Sequence, residues 1–195
     1  MKHTLFALLL CGGSLLSAQT DTLHRYHTSP VYVQGGLGLL PILDAFAAEI
    51  SVAGGYRVTP AFGVGLEFRS TGASGASFGH SASLLGVQVR GHARRGWYGL
   101  LGGGAVLSAS QGSDGFISYD YLSGGSYLAT DLGYQVRWGL TLGVYMTVVS
   151  NTRHDVIYYN LDTDEYERPG EVDEHGFFSL GFKVGYAFPG RPRRR

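Results

Sequence analysis

Six charged side chains in this 195-residue chain lie where charge is least expected, at alternate positions within runs of small and apolar residues. Glu49, Glu67, Arg69, Arg90, Asp131 and Lys183 are three acids and three bases. Gathered inside a fold, they can neutralise one another as ion pairs or, if gated, pass ions or protons. A second constellation spans residues 153–174. Here Asp155, Asp162, Asp164, Glu165, Glu167, Glu171, Asp173 and Glu174 face only Arg153 and Arg168. So many carboxylates read as a solvated, mobile loop, with divalent bridging to an anionic surface or capture of a basic partner as the functional alternatives. Asp162-Thr163-Asp164-Glu165 starts like a calcium loop but lacks the glycine and final glutamate of an EF-hand. Nucleophilic chemistry has weaker candidates. Gly79-His80-Ser81-Ala82-Ser83 nearly spells Gly-x-Ser-x-Gly, yet His80 and Ser81 are adjacent and would point to opposite faces of a strand. His154 and Asp155 have only Ser150 nearby. No catalytic residue, metal site or cofactor is assigned.

The elements that must position these residues carry a period of two, the strand signature. Eight segments show it, at residues 31–39, 48–58, 62–69, 80–91, 97–107, 127–138, 140–148 and 178–188. The last is the clearest: Phe178, Leu180, Phe182, Val184, Tyr186 and Phe188 share one face, while Ser179, Gly181, Lys183, Gly185 and Ala187 share the other. The six charges fall on the small, polar faces. An eight-stranded barrel has an interior just wide enough for side chains to fill it. The expected arrangement is therefore a structural ion-pair network, with Lys183 bonded to Asp131 or Glu67.

Connections alternate in length. Gaps after segments two, four and six are short; the others, at residues 40–47, 70–79, 108–126 and 149–174, are long. Long loops on one side and tight turns on the other is the layout of a transmembrane barrel, with the turns in the periplasm. The basic residues Arg57, Arg94, Arg95 and Arg137 sit at the short turns, and Arg191, Arg193, Arg194 and Arg195 close the chain. This rim would meet anionic lipid head groups. Tyr119, Tyr121, Phe116 and Tyr127, around the third long loop, are expected in an interfacial aromatic belt.

Charged residues are only 15% of the chain and 31 residues are glycine, too little charge for an ordinary soluble domain, which carries about a quarter. Residues 1–18 resemble a cleaved secretory signal: Lys2 and His3, an apolar stretch, then Ser17-Ala18. Cys11 raises a lipoprotein reading, but Leu10 is not the small residue such a signal needs. Residues 19–30 would be a short periplasmic segment, residues 31–188 the barrel and residues 189–195 a basic tail.

On its alternating pattern and last strand, the chain resembles the small eight-stranded outer-membrane barrels of the OmpA-domain and OmpX type. The resemblance implies an all-β, closed, antiparallel up-and-down barrel in the bacterial outer membrane. It also implies a C-terminal assembly signal, matched by Phe182, Val184, Tyr186 and Phe188, although residues 189–195 follow where the family's aromatic is usually last. The expected partners are outer-membrane lipids and lipopolysaccharide, the barrel-assembly machinery and an extracellular protein. Export argues against nucleic acid, and a monomer is expected. Two alternatives remain: a membrane-embedded acyl hydrolase acting on lipid A or phospholipid, and a soluble lipocalin-like carrier with its apolar face inside.

Overall fold

The computed structural model describes residues 30–188, apart from residues 43–44, 60, 76–77, 94–95, 113–116, 137 and 162. The expected signal and the basic tail lie outside the described residues. Nine strands follow one another: β1 (Val31–Ile42), β2 (Ala45–Thr59), β3 (Phe62–Gly75), β4 (Phe78–His92), β5 (Trp97–Gln111), β6 (Ile117–Gln135), β7 (Leu140–Asn160), β8 (Glu165–Glu167) and β9 (Val172–Ala187). Each of the first seven pairs antiparallel with the next along the chain. β9 pairs with β7 on one side and β1 on the other, so eight strands form a ring of pairings. The short β8 lies outside that ring and pairs only with the far end of β7.

A strand occupies each of the eight expected segments, the sixth ending at Gln135 instead of 138, and at one end of the ring the strands run further than expected. The gaps foreseen as long loops are mostly hairpin: β1 and β2 remain paired to Ile42↔Ala45, and β3 and β4 to Gly75↔Phe78. β7 continues twelve residues past the expected end at residue 148, to Asn160. The extensions mix Ser, Gly, Thr and charged residues with scattered apolar ones such as Ile42, Phe46, Val156 and Ile157, without the regular alternation of the segments they continue. A backbone ladder needs no apolar side chains, so a reading that follows apolar alternation stops too early.

The opposite end is closed by tight turns. Between β6 and β7 the chain reverses at Gly139, whose φ of 112° suits glycine. A Cβ there would lie 2.6 Å from the Ala187 carbonyl oxygen, so any larger residue would push β9 away.

Polarity is inverted relative to a water-soluble fold. Leu66, Phe178 and Phe182 on the outer face are 65%, 67% and 66% exposed, while Glu49, Arg69 and Asp131 are each 1% exposed inside the ring. A smaller apolar cluster of Ala82, Leu84, Val106, Tyr127, Ala129 and Val149 fills the interior beside the charges.

Candidate functional site: a charged interior and an acidic outer hairpin

Five of the six expected interior charges form one cluster. Arg69 on β3 donates from Nη1 to Glu49 Oε1 on β2 (2.8 Å) and to Asp131 Oδ1 on β6 (2.9 Å). Its Nε and Nη2 lie 3.1 and 3.0 Å from Glu67 Oε2. Lys183 Nζ, on β9, donates to Glu49 Oε1 and Asp131 Oδ2, both at 2.8 Å. Thr147 and Tyr127 hydroxyls complete the shell, donating to Glu49 Oε2 (2.6 Å) and Glu67 Oε1 (2.9 Å). Glu67 fits because β5 presents Gly102 to it; a Cβ there would overlap the carboxylate. Buried charges are tolerated when each is both paired and hydrogen-bonded, and every member here meets that condition.

Lys183 therefore takes Asp131, as expected, and adds Glu49, while Glu67 belongs to Arg69. Arg90 is interior too but stands apart from the acids. It donates from Nη2 to Gln135 Oε1 (3.1 Å) and lies over the Tyr98 ring at 4.6 Å. Gln88 Nε2 donates to Tyr32 OH (3.0 Å), and Tyr145 and Ser179 hydroxyls meet at 3.2 Å. Several of these bonds, among them Gln88–Tyr32, Arg90–Gln135 and Arg69–Asp131, cross between strands that do not adjoin, so the interior is spanned by side chains.

The outer face has clear borders. Phe182, Val184, Tyr186 and Phe188 all point outward, as do Leu142, Val144, Met146 and Val148 on β7. Beyond them, toward the long hairpins, outward positions turn to serine: Ser70 pairs with Ser83, Ser83 with Ser108, and Ser126 with Ser150. At the turn end, outward aromatics cluster. Trp97 meets Tyr134 edge-on at 5.8 Å, and Tyr186 lies 6.4 Å from Trp138 and 5.0 Å from Phe188. The aromatics expected in a belt near the third long loop are elsewhere. Tyr127 is 5% exposed and bonds Glu67 inside the ring. Tyr119 and Tyr121 face His175 and His154 edge-on. The odd-number parity of Tyr127 with Asp131 is the signal that could have placed it. Phe116 lies outside the described residues.

Of the basic rim, Arg57 sits at the turn end of β2, 5.8 Å from the Tyr32 ring centre. Arg94, Arg95 and Arg137 lie outside the described residues.

The acidic stretch is an ordered hairpin, not the loop expected. β7 runs through Asp155 to Asn160, turns, and returns as β8, so backbone pairing fixes it. Asp120 and Asp155 are paired across β6 and β7, a repulsive placement. Arg168 bridges them, from Nη2 to Asp120 (2.6 Å) and from Nη1 to Asp155 (3.2 Å). Tyr158 donates to Glu171 at 2.9 Å, Asn160 to Glu167 at 2.5 Å, and Tyr159 to Asp164. Glu165 pairs with Asn160 through the backbone. Asp173 approaches His175, and Glu174 lies 3.8 Å from Arg153. Asp162 lies outside the described residues.

The nucleophile candidates separate. His80 stacks on Phe177 at 5.6 Å, toward the interior, whereas Ser81 is exposed. Ser150 Oγ contacts Ser126 Oγ at 3.3 Å. His154 turns inward for a reason counting along the strand misses. Asn151, at φ 59°, sits in a bulge between Val149 and Thr152 that shifts the register by one. Before it, odd residues such as Tyr145 and Thr147 face inward; after it, Thr152, His154 and Val156 do. An Asn, which tolerates the left-handed region, midway along a strand is the sequence signal for such a switch.

The fold and interior define an antiparallel β-ring with apolar faces outward and charges within. No family model matches the chain, and no curated protein does either. Among solved structures, the chain is similar to the crystal structure of the outer membrane protein OprG from Pseudomonas aeruginosa. That match has 10% identity and a TM-score of 0.45, covering 85% of this chain and 99% of that one. It is also similar to the solid-state NMR structure of outer membrane protein AlkL in DMPC lipid bilayers. There the identity is 12% and the TM-score 0.42, covering 87% of this chain and 95% of that one.

Proposed function

We propose that this chain is a transmembrane β-barrel of the bacterial outer membrane, with a side-chain-filled lumen and a non-enzymatic, structural or interaction role. One observation carries the reading: the outer face is apolar where the interior is charged. In water that face would be a large exposed hydrophobic surface; in lipid it is the solvated one. Residues 140–148 of β7 supply nine residues between the Gly139 turn and the serine border, about the length a tilted strand needs to cross a bilayer. A soluble carrier of the lipocalin kind would need Phe182 and Leu142 inside.

On this reading the turn end faces the periplasm, with its aromatic girdle and Arg57 at the inner head groups. The acidic β7–β8 hairpin faces outward. Its exposed carboxylates suit divalent bridging to lipopolysaccharide or a basic extracellular protein, and the protein works as a monomer. Phe182, Val184, Tyr186 and Phe188 would be read by the barrel-assembly machinery. Arg69 and Lys183 brace the lumen instead of conducting through it.

Heat-modifiability tests the reading. The chain refolded in detergent should migrate differently on a denaturing gel before and after boiling, and should show no steady conductance in a planar bilayer. A chain that stays folded and monomeric in plain buffer without detergent would overturn the membrane assignment, and a stable open channel would overturn the plugged lumen.

A further inference from the structure

Beyond the charge cluster, toward the long hairpins, three strands turn imidazoles into the same space: His80 from β4, His154 from β7 and His175 from β9. The His154 and His175 ring centres are 5.5 Å apart, and those of His80 and His175 are 6.4 Å apart. His154 is 1% exposed. Its Nε2 lies 3.2 Å from Thr152 Oγ1, and that hydroxyl already donates its proton to the His175 carbonyl oxygen at 2.9 Å. Thr152 Oγ1 can therefore only accept, so His154 carries its proton on Nε2 and leaves a lone pair on Nδ1. That Nδ1 is buried and has no hydrogen-bond partner in the protein.

A buried, oriented, unpartnered imidazole lone pair is the donor a metal ion uses, and the hydrogen bond on the other ring nitrogen is the usual way of aiming it. The surroundings favour a cation. Asp173, paired with His154 across β7 and β9, brings Oδ2 to 3.2 Å from His175 Nε2. Imidazole ligands select borderline-soft transition metals over Ca2+ or Mg2+. With metal–nitrogen bonds of about 2.1 Å, two imidazoles on a tetrahedral ion have ring centres about 5 Å apart, near the spacing of His154 and His175. Among the described residues no three His, Cys, Asp or Glu side chains hold a metal geometry as they stand. Occupation requires the His175 and His80 rings to turn toward His154 Nδ1.

We propose that His154, His175 and His80 form a transition-metal site in the mouth of the ring, taking a divalent ion such as Zn2+ or Cu2+ through imidazole nitrogen, with Asp173 as the orienting carboxylate.

The full chain, folded in detergent, is titrated with ZnCl2 by calorimetry in the presence of excess Ca2+, which occupies simple carboxylate sites. A single saturable equivalent of Zn2+ is expected. His154→Ala or His175→Ala should weaken it at least about tenfold, while Asp164→Asn combined with Glu165→Gln in the outer hairpin should leave it unchanged. The unaltered chain loaded with Cu2+ should show nitrogen hyperfine structure in its electron paramagnetic resonance spectrum, a readout that needs no variant to fold. Absence of saturable uptake, displacement by Ca2+, undiminished uptake in His154→Ala, or a copper spectrum without nitrogen couplings would each overturn the site.

Discussion

Lys183 and Asp131 meet at 2.8 Å although their strands, β9 and β6, are not neighbours in the ring. The bond crosses the interior, and Glu49 and Arg69 close it into a cycle, with Glu49 accepting from both cations and Asp131 likewise. Replacing Lys183 by Met leaves two buried carboxylates short of a counter-charge. A loss of about 3–5 kcal/mol is expected, the cost of breaking a buried pair from one side. Urea titration of the refolded protein in lipid vesicles measures it. Adding Asp131→Asn should cost less than the sum of the two single changes, because the partners act together. Additive losses would mean the pair is not coupled.

Asn151 decides which way the upper half of β7 faces. Its φ of 59° is strained for a β-branched residue and relaxed for glycine. Asn151→Val should cost about 1–3 kcal/mol, while Asn151→Gly should be nearly neutral, both followed by urea unfolding. If strain is relieved by removing the bulge, the even residues turn outward and His154 becomes reactive toward diethyl pyrocarbonate. Equal stability in both variants would remove the bulge's role.

The mouth should loosen in acid. Burial, and then the neighbouring rings, hold the proton affinity of His154 and His80 below that of a free imidazole. The unfolded or opened state then binds more protons than the closed one, so stability rises with pH. No change is expected above the ordinary histidine value of about 6.5. As pH falls below it, the opened state gains, until the folded rings titrate as well. Facing His154 are His175, His80, Asp173 and Tyr121, of which Asp173 opposes the trend by favouring a charged ring. Amide hydrogen exchange at Thr152, His154 and His175 should quicken between about pH 6.5 and 5, after correction for intrinsic rates, while that at Thr147 and Lys183 should not. Uniform behaviour across β7 and β9 would contradict a local cause.

Much of this architecture was legible because side-chain direction alternates strictly in a strand. The parity that set Phe182 against Lys183 also put Glu49, Glu67, Arg69, Arg90 and Asp131 on one side. Sequence could not say which charges meet, since Lys183, Asp131 and Glu49 come from three strands that only closure of the ring brings together. It also stopped the strands where regular apolar alternation ends, so the serine-bordered hairpins and the pairing of Asp155 with Asp120 stayed hidden. His154 escaped because the bulge at Asn151 inverts the count. Grouping Tyr127 with nearby aromatics by type misplaces it, whereas its parity with Asp131 points inward.

The outward face is the claim on which the rest depends, and nitroxide labels read it directly. Cysteine is placed singly at Leu132, Val144 and Ser150, each labelled, and the refolded chain put in lipid vesicles. At Leu132 and Val144, which are paired on the outer face of β6 and β7, molecular oxygen should collide freely with the label and a water-soluble nickel chelate should not. At Ser150 the preference should reverse. Labels at Leu132 and Val144 that the nickel chelate reaches as readily as at Ser150 would contradict a membrane-facing apolar surface.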